Sequence, residues 1–177
     1  MNDRLSLATS IVVLVCGVSG VASARAARAR PQDVTATLSR IESEMFARED
    51  RLPAAIADLK RILAGDPRSA RAHMLLGAAY SGTGDAKLIG ESIAELREAL
   101  AIDPGLVQAR FYLANAYLTL GRVDRARDEI TQALAARPGQ PQFLSALGEA
   151  ERRLGNGPRA IELARQALAA DPSLDDA

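Results

Sequence analysis

Few residues of this sequence have the chemistry of a catalytic or metal site. The 177-residue chain contains one histidine, His73, and one cysteine, Cys16, which lies within an N-terminal apolar stretch. Its carboxylates show no spacing beyond that of a solvated helix face, so a metal ion or an activated nucleophile would lack ligands and partners. We therefore predict no catalytic residue, no metal site and no cofactor.

One segment has a faint likeness to a phosphate-binding loop. Residues 82–87 read Gly-Thr-Gly-Asp-Ala-Lys. A phosphate-binding loop of this type ends in Gly-Lys-Ser/Thr and follows a strand, whereas this segment ends in Ala-Lys and follows a helical pattern. We interpret the segment as a turn, and an enzyme remains only a remote alternative.

The charge balance argues against a nucleic-acid partner. Lys and Arg together number 22, as do Asp and Glu, and the formal net charge is zero. Nucleic-acid binding requires an excess of positive charge on at least one face. The composition is rich in Ala, Leu and Arg, which are strong helix formers, and the chain contains no Trp. The composition therefore favours helices.

The first 24 residues have the pattern of a signal peptide. Arg4 is followed by an uncharged stretch that is most apolar at residues 11–15, and residues 22–24 read Ala-Ser-Ala, a small-residue cleavage pattern. We predict cleavage after Ala24 and export to the bacterial periplasm. N-terminal sequencing of the native chain tests this.

The alternative for residues 1–24 is a retained membrane anchor. Twenty uncharged residues are just enough to cross a bilayer, and Arg25, Arg28 and Arg30 would hold the following flank in the cytoplasm. Any membrane association is expected through this segment alone. Residues 25–35 are predicted to form an Ala/Arg linker, with folded structure beginning near Pro31.

The rest of the chain is an internal repeat. One proline follows the second helix of each of four periods. These prolines are spaced by 37, 34 and 34 residues: Pro67, Pro104, Pro138 and Pro172. A fixed period of this length is typical of stacked helical repeats. Glycines suited to a left-handed turn divide three of the periods into two helices: Gly84, Gly121 and Gly155. We predict four helix hairpins at 36–69, 70–106, 107–140 and 141–174, with a tail at 175–177.

The residue types within each period resemble those of the tetratricopeptide repeat family. Helix A of that family carries a large residue, then a small one, then an aromatic three positions later, and helix B carries two alanines. The third hairpin has Leu113, Ala114, Tyr117, Gly121, Ala126, Ala133 and Pro138 at these positions. The second has Leu76, Gly77, Tyr80, Gly84, Ala99 and Pro104, with Ser92 where Ala is usual.

The outer hairpins resemble the family less closely. The fourth has Leu147, Gly148, Gly155, Ala160, Ala167 and Pro172, with Glu151 in place of the aromatic. The first keeps Phe46, Ala55, Leu59 and Pro67 but has Glu42, Ser43 and Asp50 at the large, small and glycine positions. The resemblance implies an all-α, right-handed superhelix, an α-solenoid. Gly77, Ala114 and Gly148 would allow helix A to approach helix B closely.

The same resemblance implies a binding groove lined by the A helices. The residues that it places there with suitable chemistry are Arg71, Met74, Phe111, Asn115, Arg152 and Arg153. They would hold an extended or helical segment bearing acidic residues, because guanidinium groups bind carboxylates and an amide can bind a peptide backbone. We predict a non-enzymatic scaffold for a protein or peptide partner in a bacterial envelope assembly.

Two further expectations concern the assembly. The alternative function is a membrane-anchored assembly factor for a secretion, pilus or polysaccharide-export machine. The sequence ends at Ala177, soon after Pro172, so the second helix of the last hairpin is expected to lack a capping helix. Leu163 is predicted to face outward from that helix and to support weak self-association.

Overall fold

The computed structural model describes residues 31–173, and this part of the chain is helical throughout. Its helices are α1 (Pro31–Ala47), α2 (Leu52–Gly65), α3 (Ala70–Gly82), α4 (Ala86–Ile102), α5 (Val107–Thr119), α6 (Val123–Ala136), α7 (Pro141–Arg153) and α8 (Gly157–Ala170). None of them is both long enough and apolar enough to span a bilayer. The predictions for residues 1–24 and for the tail at 175–177 lie outside the described residues.

The helix boundaries follow local backbone chemistry. Gly84, Gly121 and Gly155 have φ angles of 68°, 69° and 84°, so each predicted turn glycine adopts the left-handed conformation that suits glycine. A proline stands in the first turn of α2, α7 and α8, where its missing N–H leaves no hydrogen bond unmade. Pro31 likewise begins α1, so the helix starts inside the predicted linker at 25–35.

The helices stack as successive antiparallel pairs, α1–α2 through α7–α8. We call the first helix of each pair A and the second B. Consecutive A helices contact each other directly, whereas among residues 31–173 no two B helices are in comparable contact. The stack therefore curves with its A helices on the inner side, and the predicted all-α solenoid is confirmed.

A close approach between α3 and α4 is built on Gly77. A Cβ atom at this position would lie 2.6 Å from the Leu96 Cγ atom and 3.0 Å from the Ser92 carbonyl oxygen. Ser92 is fully buried, and its hydroxyl donates to the Gly77 carbonyl at 2.7 Å and contacts the Ser81 hydroxyl at 2.7 Å. The small residue allows α3 and α4 to pack closely, and the hydrogen bond from buried Ser92 stabilises this contact.

The first hairpin departs from the others. Helix α1 packs much less extensively against α2 than the A helices of the other pairs pack against their B helices. Phe46 is consequently 59% exposed, although Tyr80 and Tyr117 at the corresponding repeat positions are buried. The buried residues of α1 are Leu38, Ile41 and Met45, which form a narrow helical stripe.

The prediction for Leu163 is wrong. Its side chain is 1% exposed and belongs to the core, because it faces α7, where a Cβ atom on Gly148 would contact it. The exposed aliphatic residue of α8 is Ile161, at 56%. Ile161 borders a recess of about 610 Å³ between α7 and α8 that Gly148, Ala160 and Ala164 also line.

Candidate binding surface

Four aromatic side chains form a row across three A helices. The ring centroids of Phe46 on α1 and Tyr112 on α5 are 6.1 Å apart, those of Tyr112 and Phe111 are 5.7 Å apart, and those of Phe111 and Phe143 on α7 are 5.2 Å apart. We call these four residues the aromatic row. Its Phe143 end is buried and its Phe46 end is exposed, so the row joins the core to the inner surface.

Two polar groups on α5 accompany the aromatic row. Burial raises the pKa of the Tyr112 hydroxyl, while a hydrogen bond with Gln108 opposes this shift, and the phenol is therefore neutral at physiological pH. The Asn115 side chain is partly exposed, and its amide makes no hydrogen bond with another group in residues 31–173. An unused amide beside aromatic rings can bind a peptide backbone.

Of the two predicted lining residues of α3, Arg71 is paired with groups of α1 and Met74 is buried. The Arg71 guanidinium donates to the Glu42 carboxylate on α1 at 2.5 Å and to the Ser39 hydroxyl at 3.2 Å. Met74 is 4% exposed and belongs to the hydrophobic core. Arg71 therefore ties α3 to α1, and Met74 offers little surface to a partner.

The two arginines at the end of α7 share one carboxylate. Arg152 forms two hydrogen bonds of 2.8 Å with Glu149, and the Arg153 Nε atom donates to Glu149 at 2.5 Å. Arg153 also donates to the Leu118 carbonyl of α5 at 2.7 Å. Hydrogen bonds from Arg152 and then Arg153 lower the pKa of Glu149 from 4.5 to about 2.

The pairing of Glu149 with two arginines makes the stability of the protein depend on pH. Because folding depresses the pKa of Glu149, its contribution to stability is full above pH 4.5 and is lost as the pH falls through about 2. We expect Glu149→Gln to lower the free energy of unfolding at pH 7 by less than about 1 kcal/mol, since the side chain is one-third exposed. The difference from the native chain should shrink between pH 4.5 and pH 2 in denaturant titrations. A difference that stays constant over this range would contradict the assignment.

The structure thus brings only part of the predicted set to one place. Phe111 and Asn115 lie together on α5, and Arg153 reaches the end of the same helix. Phe46 and Tyr112 were not predicted as lining residues, although Phe46 occupies the aromatic position of its repeat. Phe46 is exposed because α1 packs loosely against α2, and the repeat pattern alone does not show this.

His73 has a structural role in its hairpin. Its Nδ1 atom lies 2.6 Å from the Glu95 carboxylate on α4, and its Nε2 atom lies 3.1 Å from the Pro67 carbonyl. In the next hairpin Arg110 makes the same two contacts, with Glu129 at 3.0 Å and with the Pro104 carbonyl at 3.4 Å. Residues 31–173 contain no group of three or more His, Cys, Asp or Glu side chains that could hold a metal ion.

Stacked helix pairs of nearly constant length define a class of protein, the helical-repeat solenoids, whose curvature creates an extended concave surface. The family model for the tetratricopeptide repeat matches residues 46–107, 85–141 and 111–175, which together cover most of the sequence. The chain belongs to the tetratricopeptide repeat family. The matches begin at Phe46, after most of the atypical helix α1.

Solved structures show the same fold at low sequence identity. TTC0263, a thermophilic TPR protein in Thermus thermophilus, is 24% identical, with a TM-score of 0.70 over 81% of this chain and 76% of that one. A crystal structure of MamA is 23% identical, with a TM-score of 0.64 over 85% of each chain. A second MamA structure is 23% identical, with a TM-score of 0.63 over 82% of this chain and 77% of that one. No curated protein matches the sequence significantly.

Proposed function

We propose that this protein is a scaffold that holds a protein partner against the aromatic row on the inner side of its repeat stack. The observation that carries the proposal is the row itself, which extends from exposed Phe46 to buried Phe143 across three helices. Aromatic side chains contribute much of the binding energy at protein interfaces. The Asn115 amide adds a group that can hydrogen-bond to a backbone.

The contacts favour an apolar segment over a strongly acidic one. Arg71 is paired with Glu42, and Arg152 and Arg153 are paired with Glu149, so an acidic partner would have to displace these carboxylates. The partner that fits the available groups is an extended or helical segment with an aromatic or aliphatic anchor. Acidic residues on it would add contacts only at the rim, where Arg152 is exposed.

We also propose that the scaffold serves an envelope assembly and reaches it by export. The support is the pattern of residues 1–24, with its apolar run and its Ala-Ser-Ala ending. Retention of the same segment as an anchor would make the protein an assembly factor held at the membrane. In both cases the repeat domain supplies the binding surface.

Matched alanine variants test the binding surface. Phe46 is 59% exposed within the row, and Ile161 is 56% exposed on α8 outside it. Once a partner has been isolated from envelope extracts, we expect Phe46→Ala and Phe111→Ala each to weaken its binding by about 1–2 kcal/mol in titration calorimetry. Ile161→Ala should leave the affinity unchanged, and Arg152→Ala reports the contribution of the rim.

The fold must be monitored in the same variants. Helicity and thermal unfolding should remain near native values for Phe46→Ala, because its side chain is mostly in solvent. Unchanged affinity in the Phe46→Ala, Phe111→Ala double variant would exclude the aromatic row as the binding surface for the partner. A loss of affinity in Ile161→Ala alone would move the binding surface to the outer end of the stack.

A further inference from the structure

The outer face of α8 is open at the end of the stack. In each of the other three hairpins the B helix is covered by the next A helix, through the contacts α2–α3, α4–α5 and α6–α7. Within residues 31–173, α8 packs against α7 alone, and the recess of about 610 Å³ between these two helices lies at its open face. This face is therefore the place where the interface between hairpins would continue.

A large residue of the covered B helices is replaced by a small one in α8. Eight residues before the repeat proline, α2, α4 and α6 carry Leu59, Leu96 and Ile130, and all three side chains are fully buried. Ala164 stands at this position in α8 and is exposed. Because alanine is so much smaller, it leaves a hollow on the open face, and Ala164 lines the recess.

The same face of α8 also carries large apolar side chains. Eleven residues before the repeat proline, α6 has Arg127 whereas α8 has Ile161, which is exposed. Leu168 lines the recess together with Ile161. The terminal helices of repeat proteins have polar outer faces, which keep the ends of the stack soluble. The α8 face departs from this rule, because it presents projecting apolar residues beside a hollow.

The opposite end of the stack offers no matching apolar face. From residue 33 to residue 47, the exposed side chains of α1 are polar or alanine, apart from Phe46 of the aromatic row. Arg40 and Glu44 form an exposed ion pair on this helix. A head-to-tail contact would therefore set the apolar α8 face against a polar helix. A second α8 face fits better, since it supplies projecting residues and a hollow at once.

We propose that two copies of this protein pair through their α8 helices, which run antiparallel about a two-fold axis at Ala164. In this arrangement Ile161 lies at the level of Ala167 of the second copy, and Leu168 lies at the level of Ala160 of the second copy. Each layer of the interface thus joins a large residue to a small one. At the axis Ala164 meets its own copy, where a small side chain permits close approach. Such an interface uses the same face of both copies and closes at a dimer.

The charges beside this face also match in the antiparallel arrangement. Arg165 is exposed and forms no ion pair with another residue in the part of the chain that the structure describes. Its level is one residue away from that of Glu162 of the second copy, whose carboxylate is exposed and binds Arg159 of its own chain. The interface is small, so we expect a weak dimer. The pairing does not involve the aromatic row and does not depend on the proposed scaffold function.

Sedimentation velocity of the purified protein measures this pairing. We expect a reversible equilibrium between monomer and dimer at protein concentrations up to about 1 mM. Ile161→Arg places a charge in the interface and should raise the dissociation constant of the dimer at least about tenfold. Gln166→Arg adds the same charge on the opposite side of α8 and should leave the dissociation constant unchanged. Both native side chains are exposed, so helicity and melting temperature should stay near native values in the two variants.

A further variant tests the shape of the interface. Ala164→Leu restores the residue type that α2 and α4 have at this position, and it adds an apolar side chain without adding charge. Two leucines would meet at the two-fold axis and hold the helices apart, so the dissociation constant should again rise at least about tenfold. If α8 were instead covered as the other B helices are, the leucine would leave the association unchanged or strengthen it.

Three results would overturn the proposal. A native protein that stays monomeric over the whole concentration range would leave the recess to a different protein. Species larger than a dimer that grow with concentration would indicate a head-to-tail contact, since a two-fold interface closes at two copies. Equal dissociation constants for the native protein and Ile161→Arg would place the dimer interface on another face.

Discussion

Phe143→Ala is expected to lower the free energy of unfolding by about 3–5 kcal/mol. The Phe143 side chain is 1% exposed, and its ring packs against Phe111 at 5.2 Å between α5 and α7. Truncation would remove the transfer free energy of the ring and leave a cavity between two repeats. This loss is a large share of the total stability of a typical domain.

The control for this prediction is a second phenylalanine of the same row. Phe46→Ala removes the same atoms from a side chain that is 59% exposed, and it should change the free energy of unfolding by about 0.5 kcal/mol or less. Urea unfolding followed by circular dichroism measures both. Equal losses of stability for the two variants would mean that the Phe143 side chain is not buried between α5 and α7.

Gly77→Ala is expected to destabilise the protein by about 1–3 kcal/mol, even though alanine is the better helix former by about 1 kcal/mol. The new Cβ atom would lie 2.6 Å from the Leu96 Cγ atom and 3.0 Å from a backbone oxygen, so α3 and α4 would have to move apart. The hydrogen bond from buried Ser92 to the Gly77 carbonyl would be strained by the same movement.

Gly148→Ala provides the matched comparison at the equivalent position of the fourth hairpin. There the nearest atoms to a new Cβ lie at 3.5 Å and 3.6 Å, which is ordinary contact. The change should therefore be neutral or stabilising by up to about 1 kcal/mol. Thermal unfolding of both variants measures the contrast, and a similar destabilisation in both would show that the helix pairs are equally close.

The repeat architecture was predictable because it depends on local chemistry. Glycine in the left-handed conformation acts through the backbone of a few neighbouring residues, so the turn at Gly121 could be assigned from its position alone. The period then followed from the spacing of the prolines after each second helix. The same logic placed Gly77 at a close helix contact before any distance was known.

The binding surface was only partly predictable because its side chains interact over long sequence separations. Arg71 and Glu42 are 29 residues apart, and Arg153 lies 35 residues from the Leu118 carbonyl that it binds. A repeat pattern places each arginine on a face but does not say which carboxylate reaches it. The three arginines predicted to hold a partner therefore proved to be paired within the chain.

The sequence by itself determined the fold class, the turns and the family, since these depend on residue type at fixed spacing. Only the tertiary structure decided which apolar side chains are exposed. Leu163 is buried because α7 covers it, and Phe46 is exposed because α1 packs loosely against α2. Burial depends on how neighbouring helices pack across the stack, and spacing along one helix does not fix that packing.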